Sequence, residues 1–285
     1  MAEEFHDGVV QNFLSEYAEG KTPNPCLRCN EKIKFEAVLK RALAMGYDAV
    51  ATGHYAKKVD SADGPLLFRA DDMAKDQSYV LAVLTQEQLS GAIFPLGDTV
   101  KTDVRKEADK RGFSLAQKPD SHDICFVPSG DNAGWLRDRL GSEVGKIVDE
   151  AGAVLGSHKG AYTYTVGQRR GLGLTVPADD GRARYVLRVE PIQNRVVVGA
   201  REDLAITEIS GLDVKWCGPV AELGEHRGLA QVRAHGLPLP CSYRWDGERL
   251  SAILDAPLYG LAPGQALVIY EGDRAVGSAT IDRTQ

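Results

Sequence analysis

No stretch of the 285-residue chain approaches the roughly 18 consecutive apolar residues that a membrane span needs, and its first residues, Met1 to Asp7, are acidic rather than leader-like. Cysteine is scarce: five residues, an odd number, exclude a secreted disulfide framework and point to a reducing, cytoplasmic compartment. Positive charge is not in excess. With 34 basic and 40 acidic side chains the net charge is −6, which excludes coating nucleic acid by bulk charge and leaves only a local basic groove. Internal repeats, low-complexity tracts and long linkers are missing. So is a P-loop, because Gly141-Ser142-Glu143-Val144-Gly145-Lys146 has one residue too few between its glycines and isoleucine after the lysine. What remains is ordinary folded protein, 43% hydrophobic and 26% charged. Its length suggests two or three domains and buries roughly 75% of the unfolded surface.

The first third reads as α/β. Phe5, Val9, Phe13 and Tyr17 predict an opening helix closed by Gly20. After a Pro-rich turn, Phe35, Val38, Leu39, Ala42 and Leu43 give the apolar stripe of a second helix ended by Gly46. Ala49 to Thr52 predicts a buried strand that delivers Gly53 and His54 at its carboxyl end, where open α/β sheets hold ligands. A hairpin about Asp63-Gly64, a helical pair over 76–90 beginning at Asp76, and a solvated helix capped by Thr102 follow. Ile124 to Val127 predicts another strand, and Asp131 to Leu140 a short helix. Beyond about residue 143, valine-, tyrosine- and leucine-rich runs alternate with glycine turns: Lys146 to Val148, Ala161 to Val166, Tyr185 to Val189 and Arg195 to Val198. The expected organisation is an α/β domain over 1–142, a small β-rich domain over 143–204 and a C-terminal β-barrel over 205–285.

Cys26-Leu27-Arg28-Cys29 is the sharpest local feature, a C-x-x-C at a helix mouth where the dipole favours thiolate. Zinc needs a second ligand pair, and Cys125, Cys217 and Cys241 each stand apart, the last two reading as barrel core; a thioredoxin-like site needs a preceding strand. On the motif alone, metal, redox and plain packing all stay open. The same holds for Cys125 and His54, each readable as a core residue, and for Lys75-Asp76-Gln77-Ser78, readable as a helix start. Gly167-Gln168-Arg169-Arg170-Gly171-Leu172-Gly173 sets two arginines among three glycines, a phosphate contact or a solvated loop.

Taken in order, several segments resemble the tRNA-specific 2-thiouridylases, which place sulfur on C2 of the wobble uridine. They are Thr22 to Asn30, Ile33-Lys34-Phe35, Ala51-Thr52-Gly53-His54-Tyr55, Lys75 to Tyr79, Phe94-Pro95-Leu96-Gly97, Asp123-Ile124-Cys125-Phe126, Gly167 to Gly173, and Ala262-Pro263-Gly264-Gln265. The resemblance implies a partial adenine-nucleotide α-hydrolase-like (PP-loop ATPase) domain, a β-rich central domain and a β-barrel. It implies ATP, with Mg2+, activating the uridine C2 oxygen as an adenylate, because a bare carbonyl oxygen leaves poorly. By position, Cys125 matches the persulfide carrier and Cys29 the nucleophile that pairs with it in a transient disulfide. Asn24, Pro25 and Cys26 match the segment touching the target base, with Cys26 at a position where the family also carries aspartate. Gly53 matches an ATP contact; His54, Lys75, Asp76, Gln77 and Gln265 match positions facing tRNA. A cysteine desulfurase or sulfur-relay protein is implied as persulfide donor. The family's Arg-Tyr contact in the barrel has no counterpart in Arg233-Ala234-His235-Gly236, and nothing is carried over there.

The family also opens with a strand and an S-G-G-x-D-S pyrophosphate loop that this chain lacks. The expectation is therefore an N-terminally shortened form that binds ATP poorly and thiolates weakly, with an apolar sheet edge exposed. Two other classes compete with sulfur transfer: a non-catalytic tRNA-binding module, and a C-x-x-C zinc or redox protein.

Overall fold

A computed structural model describes residues 1–114, 124–176 and 181–284. The chain is an N-terminal α/β region, a four-stranded sheet and a closed six-stranded barrel. The opening helix runs over 2–18 and buries Val9, Val10 and Phe13. It ends at Gly20, whose φ of +77° suits glycine. A Cβ there would meet Pro191 Cγ at 2.7 Å, so this helix end packs directly on the four-stranded sheet's region.

The second helix spans 25–44, with Asn24 as its cap (Cys26 N donates to Asn24 Oδ1, 3.0 Å) and Pro25 in the first turn, where a missing N–H costs nothing. Its centre, Cys29–Val38, is wound as a π-helix. That wider winding displaces the expected apolar stripe: Leu27, Asn30, Glu31, Ile33, Phe35 and Leu39 turn inward, while Leu43 is half exposed.

Strand β1 (Val50–Ala51) pairs parallel with a later strand, Ala92–Ile93. The expectation of a buried strand is corrected: Ala51 is exposed and Ile93 is 46% exposed, because this sheet has only two strands and one face is uncovered. The expected hairpin forms from β2 (Lys57–Ser61) and β3 (Gly64–Phe68). β4 is the Ala92–Ile93 strand. Helices Ser78–Leu81 and Gln86–Ser90 make the expected pair, the second closed by a Thr85–Gln88 capping box. The next helix, Lys101–Lys110, begins before Thr102. Its cap is supplied from outside, by Asp72 Oδ2 accepting from Lys101 N at 2.9 Å. No residue of that helix is buried, as its mixed charges foretold.

Ile124 to Val127 is a turn, not a strand: Val127 N donates to Ile124 O at 2.9 Å. Phe126 holds it through ring contacts with Phe5, Phe13 and Trp135 at 5.9, 5.4 and 5.4 Å, so side-chain packing replaces strand pairing. Lys118 to Asp123, the polar run before it, lies outside the described residues. Helix Asn132–Leu140 follows with Asp131 as its cap.

The four-stranded sheet has the order β6-β5-β8-β7, from β5 (Gly145–Val148), β6 (Val154–His158), β7 (Tyr185–Glu190) and β8 (Arg195–Gly199), around Ile147, Val186, Val196 and Val198. Ala161 to Val166, expected as a strand, opens instead as a 3₁₀ turn, Ala161–Thr163, after Gly160 at φ +140°. The barrel comprises β9 (Ala205–Trp216), β10 (Gly224–Gln231), β11 (Leu239–Trp245), β12 (Leu250–Tyr259), β13 (Ala266–Glu271) and β14 (Arg274–Thr284), closed by β13 on β14. Cys241 lies in its core.

The barrel is not independent of the α/β region. β3 adds antiparallel to β14, with Leu67 opposite Ala275 and Phe68 opposite Arg274. One apolar core then runs from Phe35, Tyr79, Leu81 and Leu84 to Val268 and Tyr270. Cys217, expected in the barrel core, sits in this shared core and donates to Ala82 O at 3.2 Å. At the same seam Arg69 is 5% exposed, paired to Asp76 at 2.9 Å, bonded to Gln231 at 2.8 Å and stacked 3.6 Å over the Tyr270 ring. Asp76→Ala strands that guanidinium without its counter-ion, and a loss of roughly 3–5 kcal/mol is expected in urea unfolding. Glu107→Ala, at an exposed ion pair with Arg111, is expected to cost under about 0.5 kcal/mol in the same experiment.

Candidate functional site

Separate pieces of chain, the opening helix through Phe5 and Val9 among them, converge on one cavity of about 680 Å³. The mouth of helix 25–44 supplies Asn24, Pro25, Cys26, Cys29 and, one π-turn on, Lys34. The end of β1 supplies His54, the start of the helical pair Asp76 and Gln77, the Phe126-anchored turn Ile124 and Cys125, and the barrel Ala234, His235 and Gln265. Cys29 and Cys125, 96 positions apart in sequence, therefore share a wall with Cys26; all three are free thiols.

The helix mouth does not yield the thiolates expected there. Burial pushes the Cys26 and Cys29 thiols up, and the neighbouring Cys125 pushes in the same direction. The Lys34 ammonium pulls both back toward ionisation. In an α-helix Lys34 would lie roughly 140° around the axis from Cys29. In a π-helix i and i+5 are successive turns, and that winding sets the ammonium near the thiol.

Lys34 Nζ also lies 3.2 Å from His54 Nε2. An ammonium can only donate, so Nε2 accepts and Nδ1 carries the proton, donating to Thr52 Oγ1 at 2.8 Å. Burial first, and the Lys34 charge second, hold His54 down to about 4. The site thus keeps a neutral imidazole, two protonated thiols and one ammonium.

The residues singled out from sequence fall into two groups. Asn24, Pro25, Cys26, Cys29, His54, Asp76, Gln77, Cys125 and Gln265 line the cavity; Gly53 and Lys75 stand off its wall. Within the first group some side chains are already engaged. The Asp76 carboxylate accepts from Arg69, Ala70 N, Ser78 N and Ser78 Oγ, and Gln77 Oε1 accepts from Tyr55 N at 3.0 Å. Gln265 Nε2 donates to Thr22 O, held there by Gly264 (φ +89°), where a Cβ would press on Glu16 and Lys21. Lys34, Ala234 and His235 were missed as site residues. Lys34 was visible in Ile33-Lys34-Phe35, but only the π-winding turns it to the thiols; the barrel loop carried no local signal.

A second cleft, of about 790 Å³, shares Asn24, Ala234, His235 and Gln265 with the first. It continues past Thr165, Gly167 and Gln168 to Arg201, which lies 4.2 Å over the Tyr259 ring. Gly167 and Gln168 of the glycine–arginine loop face this cleft, whereas Arg169 and Arg170 are exposed.

Among the described residues no group of three or more His, Cys, Asp or Glu is arranged to hold a metal ion. None of the described helices is long and apolar enough to cross a membrane. For ATP, the described residues offer Gly53, exposed bare backbone at the carboxyl end of β1, and no glycine-rich turn into a helix N-terminus beside it. They do not make a complete triphosphate site.

Three family models match the chain in succession: a tRNA methyl transferase HUP domain over 1–129, a tRNA methyl transferase PRC-barrel domain over 133–200 and an aminomethyltransferase beta-barrel domain over 206–281. The chain is 55% identical to a protein of Arthrobacter sp. (strain FB24) over 99% of its own length and 78% of the relative's. It is 55% identical to one of Acidothermus cellulolyticus (100% and 78%) and 53% identical to one of Nocardioides sp. (100% and 79%). All three bear the name tRNA-specific 2-thiouridylase MnmA.

The histidine makes folding pH-dependent with a definite sign. In the unfolded chain His54 takes up its proton near 6.5, in the folded chain only near 4, so the unfolded state binds more protons across that window. Stability falls as pH drops from about 6.5 to about 4, by up to about 3 kcal/mol from this one group. His54→Gln is expected to remove that part of the pH dependence in urea midpoints. Lys34→Met is expected to raise the His54 pKa, read by NMR titration of its ring proton; an unchanged or lower value would refute the role given to the ammonium.

Proposed function

The chain belongs to the tRNA-specific 2-thiouridylase family, and from that premise we propose that it is a tRNA-uridine 2-sulfurtransferase working through a persulfide on Cys125, with Cys29 as its partner. One observation carries the reading: a helix-mouth pair, Cys26 and Cys29, and a turn residue, Cys125, share a single cavity large enough for a base. The matching domain models carry a methyl-transfer label. Cavity thiols beside an ammonium suit sulfur chemistry, and the relatives' name agrees.

Cys125 is exposed on its turn, so a donor protein, a cysteine desulfurase or sulfur relay, can load it with a sulfane sulfur. The wobble uridine lies in a single-stranded loop and enters the cavity at little unstacking cost. Asn24, Pro25 and Cys26 then wall its base, with His54, Gln77 and Gln265 around it and Lys75 outside toward the backbone. The terminal persulfide sulfur forms the new bond to C2, and the C2–O bond breaks, its electron pair leaving with the oxygen on the group that ATP would have placed there. Cys29 thiolate attacks Cys125 Sγ, the Sγ–S bond breaks with its electron pair going to the departing sulfur, and a Cys29–Cys125 disulfide remains. Lys34 assists by favouring the Cys29 thiolate that burial opposes.

ATP, when bound, supplies activation of the C2 oxygen; this chain's Gly53 is the contact proposed for it, and the thiol steps above do not depend on further geometry. The second cleft, with Arg201 and exposed Arg233, provides the local basic track that a chain of net charge −6 requires to hold RNA.

Exposing the chain to a desulfurase and cysteine is expected to place sulfur on the Cys125 peptide, detected by mass spectrometry. Cys125→Ser is expected to lose that adduct and, in a thiolation assay, at least about a hundredfold of activity, while tRNA affinity stays within about threefold. Cys217→Ser and Cys241→Ser, whose thiols burial pushes up to about 12 and about 11, are expected to be silent. Sulfur loading that survives Cys125→Ser would place the carrier elsewhere.

A further inference from the structure

The cycle above ends with Cys29 and Cys125 joined, and Cys125 cannot be loaded again until that bond opens. Cys26 walls the base in that cycle, but no bond-making step uses its sulfur. Yet Cys26 lines the same cavity, one helical step of three residues before Cys29, and is exposed where Cys29 is half-buried.

Resting on the sulfur-transfer reading, we infer that Cys26 is a resolving thiol: it opens the Cys29–Cys125 disulfide by exchange and moves the oxidised bond to the cavity rim. The Cys26 thiolate attacks Cys29 Sγ, the Cys29–Cys125 bond breaks, and Cys125 leaves as thiolate while Cys26–Cys29 forms. Electrons are conserved in this exchange. A dithiol reductant from solution then gives two electrons and two protons to Cys26–Cys29 and becomes a disulfide itself.

Geometry and exposure both favour this order. Residues i and i+3 on a helix have Cα atoms about 5 Å apart, inside the roughly 4.4–6.8 Å that a disulfide spans. The pair begins in the first turn, which Pro25 and the Asn24 cap define, so a small adjustment at a helix end is enough to close the bond. Cys125 acts electrostatically on Cys26 as well as on Cys29, so all three sulfurs lie within mutual influence. A reductant approaching from solvent meets exposed Cys26 before half-buried Cys29. The C-x-x-C that metal and redox readings both left unexplained thus acquires a task inside the transfer cycle.

The test is disulfide mapping of the intact chain in a glutathione redox buffer, with alkylation before digestion. The wild-type chain is expected to hold Cys26–Cys29 in about tenfold excess over Cys29–Cys125, with Cys125 alkylated. Cys26→Ser, with folding checked by circular dichroism, is expected to hold Cys29–Cys125 and to be reduced by dithiothreitol about tenfold more slowly than wild type. A wild-type chain that settles as Cys29–Cys125 with Cys26 free overturns the inference and leaves the sulfur-transfer reading standing. If Cys26→Ser forms no Cys29–Cys125 bond, the pairing in that reading fails, and the inference falls with it.

Discussion

A buried arginine holds the molecule together. Arg69 leaves the hairpin that the barrel has borrowed from the α/β region, and it satisfies its charge on Asp76, its donor on Gln231 of β10 and its face on Tyr270 of β13. An uncompensated guanidinium in that environment would cost several kcal/mol, so the position of Asp76 is dictated by the barrel. Asp76 in turn fixes the start of the helical pair through Ser78, and with it Gln77 at the cavity wall. The cavity is thus assembled by long-range packing across a seam, with Ser78 Oγ and Tyr270 Oη 3.0 Å apart at its centre.

That dependence explains what could be read from the chain alone. Elements governed by local chemistry were legible: the Asn24–Pro25 helix start, the Gly20 and Gly46 stops, the Asp63-Gly64 hairpin and the Asp131 cap. The barrel was legible as alternating runs between glycine turns. Several of the failures were cases in which a distant partner decided. Ile124 to Val127 reads apolar because Phe126 packs among Phe5, Phe13 and Trp135, not because it pairs as a strand. Thr102 lost its cap to Asp72, and Cys217 lay in a core shared by two regions.

The site shows the same division. Cys26, Cys29, Cys125 and His54 stand in short segments that family resemblance picks out, but nothing local says that they meet. Lys34 illustrates the limit most clearly. A 3.6-residue period turns it away from Cys29, and only the π-winding of Cys29–Val38, an irregularity without a sequence rule, brings the charge round. Asp76 and Gln77 show the converse: both reach the cavity, yet their side chains already accept bonds from within the fold.

One ammonium beside a neutral imidazole and protonated thiols has a further consequence. Burial, reinforced by Lys34, keeps His54 unprotonated; burial also stores the Cys26 and Cys29 thiols in the less reactive form, and there Lys34 works against it. Its influence grows as water leaves, because charge interactions strengthen in a lower dielectric. A uridine filling the cavity would exclude that water at the moment a thiolate is needed. Desolvation also penalises the thiolate itself, so the gain depends on distance: only a sulfur close to the ammonium benefits on balance. Cys29, reached by the π-turn, is placed for that benefit. Cys26, whose thiol burial also pushes up, still keeps an exposed face at the rim, as a thiol that answers to an external reductant should.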